Sequence, residues 1–457
     1  MRYFFSSLVL LFMVSLPGQS LYDRTLASLP DFYEFLSFPN DARIEGQLEE
    51  NLIWLEAQFK LRGFTTRRLA NGGTDLLLTE FRARRKKAPT VLFYGHLDGQ
   101  SVDPSKWVLA EPFRPVLGTM NPLPDGSLAY EALGELPAGE ALMDSRIFAR
   151  SASDAKAPIM MFLVAWDHFI ENGGKLPYHL KFIVDTEEEI SSPHLPAAVE
   201  QYREELAADH LVILDGPVHT SQQPTLVYGA RGIAKARLTV YGPKVPLHSG
   251  HYGNYAPNPA LRLAQLLAGM KDDEGKVTIP GWYDGIELDE ATQKILAATP
   301  DDLAGIHQKL GFATPDAVGN NLQEALQYPS LNIRGMNSGW VGKAARTIIP
   351  ATAVANIDIR LVAESEGDRL LGLLRQYLLE EGYFIIPPGR EPTDAERAKY
   401  GRLASFSGNT SYGAFRTDIT SKTGRWLTRS LTATFGKSPK SEGKLEASIP
   451  KCRCIKL

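Results

Sequence analysis

His96, Asp98, Asp154, Glu187 to Glu189 and Asp215 are the residues of this chain whose types and settings could do chemistry together. His96 and Asp98 end the apolar run "APTVLFYGHLDG", the three glutamates end "KLPYHLKFIVDTEEE", and Asp215 ends "DHLVILDGP". One histidine among several carboxylates suits zinc or a related divalent ion, and two ions where a carboxylate bridges. Three consecutive glutamates are like charges, costly to hold together unless solvated or neutralised by a cation. Such a site lowers the pKa of bound water, polarises a carbonyl and needs a free carboxylate to carry protons. The paired glutamates can divide that labour, one holding metal and the other taking the proton. This is hydrolase chemistry.

Each residue also has a plainer reading. His96 and Asp98 could be a satisfied structural pair, or Asp98 could orient the imidazole of a metal-bound histidine. Asp154, in "ARSASDAKAP", could cap the helix that follows it. Lys156 reads as a solvated surface charge, the glutamate run as an acidic turn, and Asp215 as half of an Asp-Gly turn. The common position of His96, Asp98, the three glutamates and Asp215 at strand ends separates the functional reading from these, and Asp154 becomes a candidate in their company.

The elements that must position them follow from periodicity. The three apolar runs read as strands opening into loops, and "APIMMFLVAWDHFIENGG" (157–174) as a helix with a Gly173-Gly174 stop signal. That order predicts an α/β domain with a mostly parallel sheet, in which ligands bind at the carboxyl ends of the strands. From about Gly232 the pattern changes. "GIAKARLTVYG" alternates like a half-buried strand, "NPALRLAQLLAGMKDDEG" reads as an amphipathic helix, and "IIPATAVANIDIRLV" and "EGDRLLGLLRQYLLEEGY" repeat the pair. This predicts an α+β domain inserted in the first, with "TSKTGRWLTRSLTATFGK" (420–437) returning to the first domain and 387–400 forming an exposed loop.

At 457 residues two domains are the default expectation. The formal net charge of -4 gives no electrostatic case for nucleic acid or an anionic membrane surface. "MRYFFSSLVLLFMVSLPGQS" has one cation, Arg2, then an apolar run and the small residues Gly18 and Ser20, the layout of a secretory signal peptide. The run is short for a membrane span, so the expectation is an exported, periplasmic or secreted protein with no membrane attachment after cleavage. Only Cys452 and Cys454 are present, so the body of the fold is not held by disulfides.

These residues, in this order, resemble the co-catalytic zinc peptidase family of aminoacylases, carnosinase-type dipeptidases and bacterial glutamate carboxypeptidase. The resemblance runs from roughly residue 30 to residue 450. "YGHLDG" resembles the first metal motif, which implies His96 as ligand and Asp98 as its support. "ARSASDAKAP" resembles the Asp-Asp-Lys-Gly motif, implying Asp154 as the bridging carboxylate. "EEISS" resembles Glu-Glu-x-Gly-Ser, implying Glu188 as general base and Glu189 as ligand, with Asp215 as the next ligand. The inserted segment is similar to the family's dimerising lid. There "PLHSGHYGN" implies that His248 reaches the substrate carbonyl, often across a dimer interface, and "RTIIPATAVANIDIRLV" implies Thr347 and Arg360 as substrate contacts. "IPGWYDGIELDE" (279–290) is similar to a dipeptidase-type lid, and "EASIP" (446–450) implies Ser448 as a further substrate contact.

Some positions depart from the pattern: Ala155, Ala157 and Ser191 replace an Asp and two glycines of the motifs, and Pro246 an acid. The family's last metal-binding histidine follows the Ser-Ile-Pro segment. None of the nine histidines here lies beyond His307. The expectation is therefore a signal peptide at 1–20, a catalytic domain at 21–231, an inserted lid and dimerisation domain at 232–419, and a resumed catalytic domain at 420–457. That last part is read as truncated, with an aberrant tail from about residue 451. The expected activity is hydrolysis of a dipeptide or related exopeptidase substrate with two divalent ions, zinc by resemblance, in a homodimer, and impaired by the missing histidine. The alternatives are an amidohydrolase acting on N-acyl amino acids and a non-catalytic, peptide-binding dimer.

Overall fold

The structure, a computed structural model, describes residues 20–109, 111–123, 127–134, 145–216, 225–297 and 301–435. The segment read as a signal peptide, up to residue 19, and the tail with Ser448, Cys452 and Cys454 lie outside the described residues. These fall into two compact units, one ending at Asp215 and the other beginning at Gly216. The segment 216–231 and the helix Lys422–Phe435, both read from the sequence as parts of the catalytic domain, group with the second unit.

The first unit is built on strands β1 (Thr65–Leu69), β2 (Leu76–Phe81), β3 (Thr90–His96), β7 (His179–Asp185) and β8 (His210–Ile213), in the order β1-β2-β7-β3-β8. A small separate antiparallel sheet lies between them in sequence: β4 (Val116–Pro122), β5 (Leu128–Ala132) and β6 (Arg146–Phe148). The main sheet is mixed. β7, β3 and β8 run parallel, while β1 and β2 pair antiparallel at one side. β7 is buried at all seven positions, as expected of a strand covered on both faces. The helix Lys156–Glu171 supplies one cover: Phe162 meets Phe93 of β3 and Phe182 of β7 at ring-centroid distances of 5.1 and 4.9 Å, and Trp166 meets Phe81 of β2 at 4.6 Å. Gly95 lets this packing close, because a Cβ there would stand 3.2 Å from Phe182 and 3.5 Å from Ile159.

The second unit carries β9 (Gly229–Ala230), β10 (Gly232–Tyr241), β11 (Leu247–His248), β12 (Asn332–Asn337), β13 (Ile348–Ile349), β14 (Thr352–Leu361), β15 (Phe384–Ile386), β16 (Leu403–Tyr412) and β17 (Phe415–Arg416). Its main sheet has the order β12-β14-β10-β16-β15, antiparallel except for β15 against β16. β10 alternates in burial along its length as the sequence predicts, and Ala234, Ala236, Leu238 and Val240 face a core shared with the helices Pro259–Gly269 and Gly367–Glu380. The leucines of those helices (Leu263, Leu266, Leu370 and Leu374 among them) recur at helical spacing and are buried there. Residues 387–400, expected to be a loop, contain the helix Asp394–Lys399. Thr393 and Glu396 close a capping box at its start, the Thr-x-x-Glu signal visible in the sequence. No helix among the described residues is long and apolar enough to cross a membrane.

Candidate metal centre

The parallel part of the sheet places the acids. β3 ends on His96 and β7 ends on Asp185, paired in register, and the ladder toward β8 continues where Leu214 donates to the carbonyl of Tyr94 at 2.8 Å. His96 and Asp215 therefore leave adjacent strands at the same end of the sheet. Asp154 arrives from the loop before the helix Lys156–Glu171. It does not cap that helix: the N-cap is Ala155, with no side-chain bond. His96, Asp154 and Asp215 each offer a ligand atom within 4.8 Å of the others. Three of the four ligands read from the sequence thus come together.

His96 is buried, and its Nδ1 lies 3.3 Å from Oδ1 of Asp98. That carboxylate oxygen also accepts the backbone N–H of Glu188 at 3.0 Å, so the imidazole must donate from Nδ1. Nε2 then faces Oδ1 of Asp154 at 2.9 Å and Oδ1 of Asp215 at 3.7 Å. Although Asp154 is close, Nε2 makes no bond of acceptable angle. A neutral imidazole would point its lone pair at two anions, which is repulsive unless a proton or a metal ion sits between them. Burial opposes the imidazolium, yet the carboxylates of Asp154, Asp215 and Asp98 outweigh it and hold the His96 pKa well above its usual range. The donor set, one nitrogen and several carboxylate oxygens around a buried lone pair, fits a divalent cation. The Asp154 side chain is 68% exposed, so the group opens to solvent on that side.

Asp98 does more than support the histidine. Fully buried, it accepts Glu188 N–H on Oδ1 and Glu189 N–H on Oδ2, at 3.0 and 2.8 Å. It thereby fixes the short 3-10 turn Glu188–Ile190 against the end of β3. Glu188 and Glu189 are both buried, but neither belongs to the three-residue group; the Glu189 carboxylate accepts a bond from Gln100. Glu187 turns elsewhere, accepting from Thr74 N–H at 3.2 Å and meeting His194 Nδ1 at 2.7 Å. Ser191, which stands where the motif has glycine, has φ +75° and so adopts the conformation that glycine takes most easily. Beneath the turn, burial pushes the Asp185 carboxyl up, against the opposing bonds from Ser192 and Tyr94 hydroxyls at 2.6 and 2.8 Å.

Lys156 corrects the sequence reading. It is fully buried and donates to the carbonyls of Phe35 and Phe38, both at 2.7 Å. These lie at the end of the helix Leu29–Ser37, whose last carbonyls have no partner within the helix. The lysine thus ties the loop carrying Asp154 to the N-terminal helices. Its burial holds its pKa well below the usual lysine range.

In the second unit, the short pair β11 and β13 sets His248 opposite Ile348, and Ser249 N–H donates to the carbonyl of Thr347 at 3.2 Å. His248 and Thr347 are thus neighbours. Arg360 lies near the far end of β14, opposite Ile233. Ser448 lies outside the described residues.

The mixed sheet, the carboxylate-rich group at its carboxyl end and the separate α+β unit define a metallopeptidase fold. Residues 228–384 match the M20 peptidase dimerisation domain, and the chain is similar to M20 peptidases over most of its length. It is 26% identical over 400 residues to a Cys-Gly metallodipeptidase of Candida albicans, a match covering 82% of this chain and 78% of that one. It is 28% identical over 295 residues to the Beta-Ala-His dipeptidase of Mus musculus, covering 63% of this chain and only 54% of that protein. Among solved structures, an M20 family metallo-carboxypeptidase from Sulfolobus solfataricus superposes with TM-score 0.68 and 25% identity over 90% of this chain and 84% of that one. These relatives also correct the expected location. The Cys-Gly metallodipeptidases are cytosolic enzymes, which overturns the reading of an exported, periplasmic or secreted chain.

Proposed function

We propose that this protein hydrolyses dipeptides with two zinc ions and acts as a homodimer through its dimerisation domain. The observation that carries the reading is the His96 Nε2 lone pair set between Asp154 and Asp215, on the same Asp98 that holds Glu188 and Glu189. His96, Asp154, Asp215 and Glu189 would hold the metal. Bound there, the ions supply Lewis acidity that acidifies water and polarises the peptide carbonyl. Glu188, whose backbone N–H is held by Asp98, takes the proton of the attacking water and passes it to the leaving amine. His248 donates to the developing oxyanion, and Arg360 grips the substrate carboxylate with its planar fork.

The lid's own geometry supports the dimer. Arg360 lies eight residues along β14 from Thr352, roughly 26 Å at strand rise. His248 and Thr347 lie beyond the Thr352 end. An extended dipeptide spans only about 7 Å. The separation of His248 and Arg360 within one lid is far longer than a dipeptide, which supports giving the histidine to the partner's site.

The test is purified protein with a metal count and a panel that sets dipeptides, Cys-Gly and β-Ala-His among them, against N-acyl amino acids. Metal-dependent turnover of dipeptides is the expected result. Preferential turnover of acyl amino acids would replace the reading with an amidohydrolase. Absence of both metal and turnover would sink it.

A further inference from the structure

Glu189 is held by its N–H, its carbonyl and its carboxylate, and two of the residues that hold it have no role in the reaction proposed above. The N–H goes to Asp98 at 2.8 Å. The carbonyl accepts Nη2 of Arg43 at 3.2 Å, and the carboxylate oxygen Oε2 accepts Nε2 of Gln100. The same Arg43 Nη2 reaches Oε1 of Gln100 at 3.4 Å. A guanidinium only donates and a carboxylate only accepts. The Gln100 amide between them must therefore turn its oxygen to Arg43 and its NH2 to Glu189.

This arm is braced from behind. Arg43 Nη1 donates to Oδ1 of Asp41 at 3.1 Å, the same oxygen accepts the Arg43 N–H at 3.0 Å, and Asp41 Oδ2 accepts the hydroxyl of Ser101. Burial opposes the Asp41 charge, yet the bonds from Ser101 and Arg43 outweigh it and keep that carboxyl below its usual range. Arg43 thus keeps its counter-charge. Buried Asn40, just before, accepts Gly99 N–H on its carbonyl at 2.8 Å and donates from its side chain to the carbonyl of Leu97 at 2.7 Å. Residues 40–43 therefore lie along 97–101, the loop that follows His96.

A glutamate side chain has several rotatable bonds, and ordering them opposes any binding that needs one pose. Hydrogen bonds that fix the carboxylate beforehand remove that cost from cation binding. We propose that Gln100 and Arg43 are positioning residues for Glu189, a single arm that fixes the pose in which its carboxylate holds a cation. The inference rests on the metal role given to Glu189 in the proposed function.

The experiment titrates zinc(II) into the metal-stripped full chain against a chromophoric chelator, with circular dichroism reporting that each variant is folded. Zinc affinity of a folded variant is a readout that a merely structural role would not move. Gln100→Met and Arg43→Met should each lose about 10–100-fold in affinity for one ion. The double variant should lose less than the product of the two single losses, because the residues act together. Unchanged affinities, or losses that multiply in full, overturn the single arm. The Arg43 side chain is 42% exposed, so Arg43→Lys keeps both fold and charge if the other variants do not fold. An ammonium lacks the fork that spans Asp41, Gln100 and the Glu189 carbonyl, so Arg43→Lys should also weaken zinc binding, and full affinity in it overturns the proposal. If the unaltered protein binds no zinc, the proposed function falls and this inference with it; zinc binding that the variants leave unchanged overturns the arm alone.

Discussion

If His248 serves the partner's active site while Glu188 and Arg360 serve their own, two dead proteins should repair each other. Glu188→Gln removes the proton carrier, and His248→Ala removes a donor whose loss costs about 10²–10³ in kcat at comparable oxyanion sites. Each homodimer should then be nearly inactive. In a mixed dimer, the site on the His248→Ala protomer keeps its own Glu188 and receives an intact histidine from its partner. The other site in that dimer lacks both. The doubly tagged species is all mixed dimer, with one working site of two, so its recovery should approach about half of unaltered activity. The distance between His248 and Arg360 within one lid makes a second pairing diagnostic. Glu188→Gln with Arg360→Ala should recover nothing, because both lesions fall on residues used by the same protomer's site. Co-expression with two affinity tags, then dipeptide turnover of the doubly purified species, reads both outcomes. If the first mixture merely equals the average of its parents, His248 does not act across the interface. If both mixtures recover, Arg360 has been given to the wrong protomer.

Other outcomes follow from buried contacts. Asp98→Asn replaces one accepting oxygen by a donor facing an N–H; it should lower stability in urea by about 2–3 kcal/mol and metal affinity about 10–100-fold, and unchanged values for both would refute its double role. Lys156→Met strands the carbonyls of Phe35 and Phe38 and should cost about 2–4 kcal/mol, whereas a solvated surface lysine would give a change within about 0.5 kcal/mol. Asp185 has a raised folded pKa, so its contribution is fully present below the ordinary carboxylate range and is lost as pH rises through the raised value. The stability of Asp185→Asn relative to the unaltered protein should therefore improve between about pH 4 and about pH 7, and a difference independent of pH would count against that sign.

How much of this was legible depended on whether a residue's role is local. Strand-end acids could be read because apolar runs mark strands, and their ends mark the ligand-binding edge. The helix Pro259–Gly269 could be read from its amphipathic pattern, but its end could not, since the stretch read as helix runs on to Gly275; its cap Asn258 accepts Ala260 N–H at 2.9 Å. The helix Asp394–Lys399 was missed although Thr393 and Glu396 announced it, because the flanking prolines and charges read as loop. Lys156 was misread for a different reason. Its partners are carbonyls more than a hundred residues away in sequence, and nothing local separates a buried lysine from a surface one. Asp98's bonds to the amides of Glu188 and Glu189 are equally non-local; the family resemblance pointed to its histidine and not to the glutamate turn. Arg231, just before β10 and only 7% exposed, left no signal, since a lone arginine before a strand looks like any surface charge.

The same Asp98 has a consequence for how the site can drift. In the roles proposed for His96 and Glu188, one carboxylate sets the pose of a ligand and the backbone of the proton carrier, so the two functions share a single hinge point. A sequence change that tilts Asp98 cannot weaken cation holding while sparing proton transfer, or the reverse. Variation should therefore gather at positions that each touch one function, while Asp98 tolerates no gradual retuning.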